Sequence, residues 1–302
     1  MHYNQEKLDE NKTIAIVVTF NPEIEDFLKF CNILLKQFTS VLIIDNKSND
    51  ITIIKDKISL LPYYNKIQFI FNEFNKGLSF AQNQGIKYAI DNNFESFCMF
   101  DQDSIIDFNY LNTIINDYNC LVEKGKRVGT IGPSIIDQTT KTKYPAIKYK
   151  GFFLNRIILK NEILECSYVI ASGSLTKLSI FNEVGWFNET FFINYIDVEW
   201  CFRAISKGFN IYITPNVHLY QNVGIFRKNF LGRAIPIHSP LRRYYASRNS
   251  TLMLSLKHVS IGYKIREIIF NPIRLIFDCI IAGNSKVRIK LFLKGFTDAI
   301  KN

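Results

Sequence analysis

Ser96-Phe97-Cys98-Met99-Phe100-Asp101-Gln102-Asp103 is the stretch on which the reading of this chain turns. A short, continuous apolar run fits a strand covered on both faces. This one ends in two carboxylates one residue apart. Hard oxygen ligands leaving a strand end suit Mg²⁺ or Mn²⁺, which take carboxylates plus substrate phosphates rather than an all-protein cage. Open α/β sheets also bind their ligands at the carboxyl ends of central strands. Asp-x-Asp occurs in ordinary surface turns as well, so its meaning rests on its partners.

Outward from that run the first half of the chain alternates. Thr13–Phe20, Ser40–Ile44 and Ile67–Asn72 read as strands. Pro22–Phe38 has helical spacing, a short helix runs to about Leu61, and Gly77–Asn92 and Asp107–Glu123 read as helices, with another strand near Val128–Gly132. Strand and helix in this order predict βαβ units and a parallel sheet with crossover helices. Ser134–Glu165 is irregular and reads as loops plus an edge hairpin. Ile196–Lys207 is a helix closed by Gly208, and Asn210–Thr214 is a strand stopped by Pro215. After Pro240 the pattern is helical, with breaks expected at Asn271-Pro272 and Gly283-Asn284.

A chain of 302 residues can hold one large α/β domain with a smaller appendage. Met1–Lys12 lacks an apolar segment behind a basic start, so no secretory signal is expected. The 6 cysteines are scattered, without C-x-x-C spacing, and read as reduced core residues of a cytoplasmic protein. The net charge is +10. From Arg227 onward basic residues dominate and alternate with Ile, Leu and Phe, which favours an anionic membrane surface over nucleic acid. Ile268–Ala282 is too short and too polar to span a bilayer and reads as an interfacial or packed helix.

Polar residues finish three of the predicted strands: Thr19 and Asn21, Asp45 and Asn46, and Asp101 and Asp103. In a parallel sheet these ends lie along one edge and can converge on one ligand. Asp45 and Asn46 have the groups to hydrogen-bond the imide face of a pyrimidine, although each alone also suits a turn or a cap. Asn75-Lys76-Gly77 opens a helix, where Gly77 permits close backbone approach and Asn83 can point back toward a ligand. In Asp197-Val198-Glu199-Trp200-Cys201-Phe202-Arg203, Glu199 and Arg203 stand at i,i+4 and explain each other as an ion pair. Asp197 has only the helix dipole, so it is the first candidate for a general base and Glu199 the second. His218 follows the last strand and suits either a metal site or a satisfied core histidine.

Taken together these stretches resemble family 2 glycosyltransferases of the bacterial rhamnosyltransferase-like branch. The resemblance is carried by Val17-Val18-Thr19-Phe20-Asn21-Pro22, Ile44-Asp45-Asn46-Lys47-Ser48-Asn49-Asp50 and Asn75-x-Gly77 through Asn83-x-Gly85. It continues with Phe100-Asp101-Gln102-Asp103-Ser104, Ala171-Ser172-Gly173-Ser174, Val184-Gly185-Trp186-Phe187-Asn188-Glu189, Asp197 through Ala204, and Tyr244-Tyr245-x-x-Arg248-Asn249. It implies a GT-A fold: a Rossmann-like, mostly parallel sheet over residues 1–240, with a nucleotide-sugar half to about 132 and an acceptor half beyond it. A basic helical extension, 241–302, would follow.

By the same resemblance, Thr19, Asn21, Pro22, Asp45, Asn46, Asn75, Gly77, Asn83, Asp101 and Gln102 would hold the nucleotide sugar. Asp101, Asp103 and His218 would hold Mg²⁺ or Mn²⁺, Asp197 would be the base, and Ser172, Gly173, Trp186, Trp200 and Arg248 would face sugar and acceptor. Relatives carry Glu-Asp where this chain has Ile196-Asp197, so the preceding acid is missing. The branch implies dTDP-L-rhamnose as donor, a lipid-linked surface polysaccharide as acceptor, inversion at the anomeric carbon, and a place on the inner face of a bacterial plasma membrane. Other readings are a UDP-hexose donor, an aspartyl-nucleophile phosphohydrolase, or a non-catalytic assembly protein. The basic tail would bind membrane, pair two subunits, or pack on the catalytic domain.

Overall fold

The computed structural model describes residues 5–221, 226–230, 233–237 and 239–301. β1 (Thr13–Thr19), α1 (Ile24–Gln37), β2 (Val41–Asp45), α2 (Ile51–Ser59), β3 (Ile67–Phe71), α3 (Leu78–Asp91) and β4 (Ser96–Asp101) alternate as the spacing predicts. β1 and β2 are buried along their whole length, which is why they read as unbroken apolar runs. Successive strand residues feed opposite faces. Ile14, Ile16 and Val18 join one core layer with α3, while Ala15 and Val17 join the other with α1.

β5 (Ile105–Ile106), α4 (Tyr110–Glu123), β6 (Val128–Asp137), β7 (Ala146–Lys150), β8 (Phe153–Ile157), β9 (Leu164–Cys166), β10 (Leu175–Lys177), α5 (Phe181–Val184), α6 (Ile196–Ser206) and β11 (Asn210–Gln221) follow. The main sheet runs β3-β2-β1-β4-β10-β6-β11-β5, with β9 added on β11, and β7 and β8 form a separate hairpin. A hairpin in the irregular middle was expected; β10 was not. β10 lies antiparallel between β4 and β6, so the sheet is mixed rather than parallel throughout. Three residues carry too little periodicity to be seen in sequence, and only their two neighbours make them a strand.

Pro215 does not stop the last strand. β6 and β11 pair on both sides of a register shift between Thr214 and His218, so the residue without an N–H sits in a bulge. Beyond it the extended β6–β11 pair reaches across the end of β4, and Leu219 and Tyr220 pair with Ile106 and Ile105.

After the hairpin β12 (Phe226–Phe230) and β13 (Arg233–Ile237) come α7 (Pro240–Ser255), α8 (Ile261–Ala282) and α9 (Ser285–Lys301). Ser239 and Ser260 cap α7 and α8 by accepting the Arg242 and Tyr263 N–H groups. α8 runs unbroken through Asn271-Pro272, against the expected break. The carbonyl that Pro272 leaves without a helical partner is that of Ile268, an exposed residue whose backbone water can reach. The Gly283-Asn284 break is present, with both residues at positive φ.

The three helices are joined by a buried charge cluster. Arg243 of α7 donates from Nε to Asp278 of α8 at 2.7 Å, and Arg288 of α9 approaches the same oxygen at 3.8 Å. Removing one member of such a cluster strands buried charge. Asp278→Ala is therefore expected to lower the unfolding free energy by about 3–5 kcal/mol in urea titrations, whereas Arg243→Met, Asp278→Leu and Arg288→Met together should cost far less.

Candidate active site

Parallel register brings the predicted strand ends level. Thr19 stands opposite Asp45, and Val18 opposite Asp101, so β1, β2 and β4 deliver their polar residues to one edge. Asp45 is 2% exposed and organises the turn after β2. Its Oδ1 accepts the Thr19 and Ser48 hydroxyls at 3.0 and 2.5 Å, and its Oδ2 accepts the Lys47 and Ser48 N–H groups at 3.0 and 2.8 Å. Those bonds use the carboxylate's lone pairs, so Asp45 shapes this end of the edge from within. Ser48, part of the Ile44–Asp50 stretch but given no role from sequence, also accepts the Asn21 N–H at 2.7 Å, where Asn21 stands at φ +48°.

Asn46 ties the next two loops together. Its Nδ2 donates to Asn75 Oδ1 at 3.1 Å and to the Gly77 carbonyl at 3.0 Å, while its Oδ1 accepts from Asn72. Gly77 has φ +99°, and a Cβ there would meet the Phe192 ring at 2.7 Å, so both conformation and space demand glycine. Pro22 is buried beside this edge. Gln102 grips the turn after β1, accepting the Phe20 N–H at 2.7 Å.

Asn83 takes another part. Its amide spans the Phe187 backbone, donating to that carbonyl at 2.9 Å and accepting the N–H at 3.1 Å, so α3 anchors the segment leading to α6 instead of pointing at the strand edge.

Asp101 and Asp103 flank the turn after β4, and Ser104 closes it by donating its N–H to the Asp101 carbonyl at 3.2 Å. Because β10 runs antiparallel to β4, the residues just before it arrive at this same edge. Ser172 Oγ accepts the Asp101 N–H at 3.1 Å and meets Ser104 Oγ at 2.9 Å. Gly173, at φ +77°, packs where a Cβ would strike Tyr110 and Pro133. Ser172 and Gly173 are thus buried supports of the acidic turn, not a sugar-facing surface.

Ala171, next along, donates its N–H to Asp197 Oδ2 at 3.2 Å, and Asp197 Oδ1 accepts the Val198 N–H at 2.8 Å. Burial raises the Asp197 carboxyl, against the pull of those backbone donors. Asp101 is raised to about 6, first by burial and then by the charges of Asp103 and Asp197. Gln221, at the far end of β11, donates to Asp101 Oδ2 at 3.2 Å, and the Arg242 charge on α7 works in the opposite direction. Neither residue stands out in sequence, because only the long β6–β11 pair and the start of α7 carry them here.

These mutually repelling carboxylates fit a divalent cation chemically, since hard oxygen donors with excess negative charge are what Mg²⁺ and Mn²⁺ take. His218 is tied to Asp107 through Nδ1, which does not engage Nε2. Its Nδ1 and its backbone N–H both pair with Asp107 Oδ2 at 2.9 Å, and among the described residues no three His, Cys, Asp or Glu groups gather as a ligand set.

Glu199 is consumed by structure. Burial pushes its carboxyl up, but hydrogen bonds from His258 at 2.8 Å and Arg203 at 2.9 Å outweigh it and hold it below the usual range. Trp200 is 2% exposed, stacked on Phe181 at 5.1 Å with its Nε1 donating to Gly185, so it is core and cannot meet a sugar. Trp186 is 42% exposed, and its carbonyl accepts from Arg203 at 2.8 Å. Arg248 donates to the Thr190 carbonyl at 2.6 Å.

A sheet edge carrying an Asp-x-Asp turn faced by a helix-borne carboxylate invites comparison with known proteins. A family model described as glycosyl transferase family 2 matches residues 14–185. The chain belongs to glycosyltransferase family 2. It is 32% identical, over 93% of its length and 91% of the other's, to the dTDP-rhamnosyl transferase RfbF of Shigella flexneri. The fold is that of GT-A glycosyltransferases. GalNAc-T7, solved with UDP, GalNAc and Mn²⁺, superposes with a TM-score of 0.60 at 15% identity, over 99% of this chain and 57% of that one. The mannosyltransferase PcManGT of Pyrobaculum calidifontis, solved with GDP-Man and Mn²⁺, does so at 0.54 and 13% identity, over 96% and 75%. This family 2 chain is therefore an enzyme, a glycosyltransferase.

The charge balance at the edge makes a pH-dependent prediction for the metal-free protein. A carboxyl raised to about 6 in the fold favours the protonated, folded state, so stability falls as pH rises from the unfolded value near ~4 through 6. Asp101→Asn should raise unfolding free energy by about 1 kcal/mol at pH 7.5 and leave it unchanged at pH 4, as read by thermal melts in chelator.

Proposed function

We propose that this family 2 enzyme transfers L-rhamnose from dTDP-L-rhamnose, with inversion, to a lipid-linked glycan at the inner face of a bacterial plasma membrane. The observation that carries the reaction type is the convergence of Asp101, Asp103 and Asp197 on one edge, joined through Ala171 and Ser172. The choice of donor rests on the likeness to RfbF.

In this reading the nucleotide lies along the edge formed by Thr19, Asn21 and Pro22, the Asp45-Asn46 turn and the Asn75–Gly77 loop. Asp101 and Asp103 would hold Mg²⁺ or Mn²⁺ with the donor diphosphate, and the ion would offset the charge developing on the leaving group. Asp197 accepts the proton of the acceptor hydroxyl as its oxygen bonds to the anomeric carbon. Attack on the face opposite the departing diphosphate inverts that carbon. A base raised by burial suits proton transfer near neutral pH.

Calorimetric titration of dTDP-rhamnose, UDP-glucose, UDP-galactose and GDP-mannose, with and without Mn²⁺, tests the donor. Metal-dependent binding of dTDP-rhamnose is expected, weakened at least about tenfold in Asp103→Ala. Binding of a UDP- or GDP-hexose instead would replace the donor, and binding of none would remove the transferase reading of this edge.

The C-terminal helices would dock on anionic lipid. Among the described residues no helix is long and apolar enough to cross a membrane. α8 and α9 nevertheless expose Ile268, Ile269, Phe270, Ile276, Ile280, Leu293 and Phe296 beside Lys264, Lys290 and Lys294. Ile268→Glu with Ile276→Glu should abolish co-sedimentation with phosphatidylglycerol vesicles without changing the melting temperature. Unchanged sedimentation would exclude this face, and loss of a dimer in light scattering would reassign it to subunit pairing.

A further inference from the structure

Directly before α6 the backbone does something costly. Asn194 and Tyr195 stand consecutively in the left-handed region, at φ +68° and +66°, and neither is glycine. The Tyr195 carbonyl then accepts the Glu199 N–H at 2.9 Å and starts the helix that carries Asp197. Bulky residues in this conformation persist only where their surroundings over-determine them.

The restraints come from the C-terminal helices. Asn249 of α7, fully buried, donates its Nδ2 to the carbonyls of Ile193 at 2.8 Å and Asn194 at 3.2 Å. Arg248 fixes the approach through Thr190 and braces Asn249 Oδ1 at 3.3 Å. From α8, Glu267 accepts the Tyr195 hydroxyl at 2.8 Å. Glu267 is itself 3% exposed and held by Arg274 at 2.9 and 3.1 Å and by Arg266 at 3.2 Å. Two carbonyls aimed at one point need a double N–H donor, which an amide supplies and a carboxylate would repel. Arg248, expected at the acceptor, is engaged here, beside Asn249.

We propose that Asn249 and Glu267 are positioning residues of the transferase: α7 and α8 clamp the Asn194–Tyr195 turn and thereby fix Asp197 against Ala171 at the sheet edge. If the turn relaxes to the right-handed region, the first turn of α6 rotates and Asp197 leaves that edge. The inference rests on the reading of Asp197 as base, but the clamp itself can be measured without turnover.

Tyr195→Phe removes one hydroxyl, and Asn249→Ala removes the double donor. Hydrogen–deuterium exchange of the 193–199 amides should accelerate about tenfold in both, with the β1–β4 amides unchanged. Hydrolysis of dTDP-rhamnose, with water as the acceptor and rates normalised to calorimetric binding stoichiometry, should show kcat down by about 10²-fold in Asn249→Ala at unchanged KM. Unchanged exchange in Tyr195→Phe, or a KM that rises in step with the loss of kcat, would overturn the proposal. If calorimetry shows no binding of dTDP-rhamnose to the wild type, the donor reading fails while the exchange result still decides the clamp.

Discussion

Like charge gathered at one edge of a buried sheet is the constraint on which this structure turns. Asp101 is raised to about 6, first by burial and then by the charges of Asp103 and Asp197. No packing argument calls for two desolvated carboxylates at Asp101 and Asp197, because burying a charge costs free energy. The surrounding fold is arranged to tolerate them. Backbone N–H groups of Ala171 and Val198 face Asp197, and Gln221 reaches Asp101 from the far end of β11. The stored repulsion is what a cation and a diphosphate would relieve, in the reading proposed for this edge.

Around that cluster, side chains with the look of ligand contacts divide into two kinds. Asp45, Asn46, Ser172 and Asn83 are committed to backbone groups and hold loops still. Asp103 stands exposed at the same edge, and Asn21, also exposed, accepts the Asn49 N–H through Oδ1. A buried polar residue left unpaired is expensive, so the inner layer must be satisfied within the protein, and this rigidity keeps the outer layer in place. The same division separates Glu199 from Asp197 on one helix: Arg203 pairs with the first and His258 hydrogen-bonds it, while the second keeps a raised carboxyl.

The C-terminal helices belong to this scheme as much as the sheet does. They contribute Arg242 to the field at Asp101, His258 to Glu199, and the Asn249 and Glu267 contacts to the turn before α6. Their own union is anchored by buried Arg243 and Asp278. They also expose Ile268, Ile276 and Ile280, which belong to none of those contacts.

The sequence by itself determined the alternating first half, since buried strands and amphipathic helices are set by local periodicity, and it marked Thr19, Asp45 and Asp101 as strand ends that would share an edge. It also separated Glu199 from Asp197, because an i,i+4 partner is a local fact. Tertiary structure alone decided that Leu175–Lys177 is a strand, that Pro215 sits in a bulge rather than at an end, and that Pro272 lies within a helix. The same holds for Trp200 in the core, Arg248 on Thr190 and Gln221 on Asp101. Each depends on groups far apart in the chain. A pattern confined to near neighbours reports which way a side chain can turn, and only the packed fold decides what it meets there.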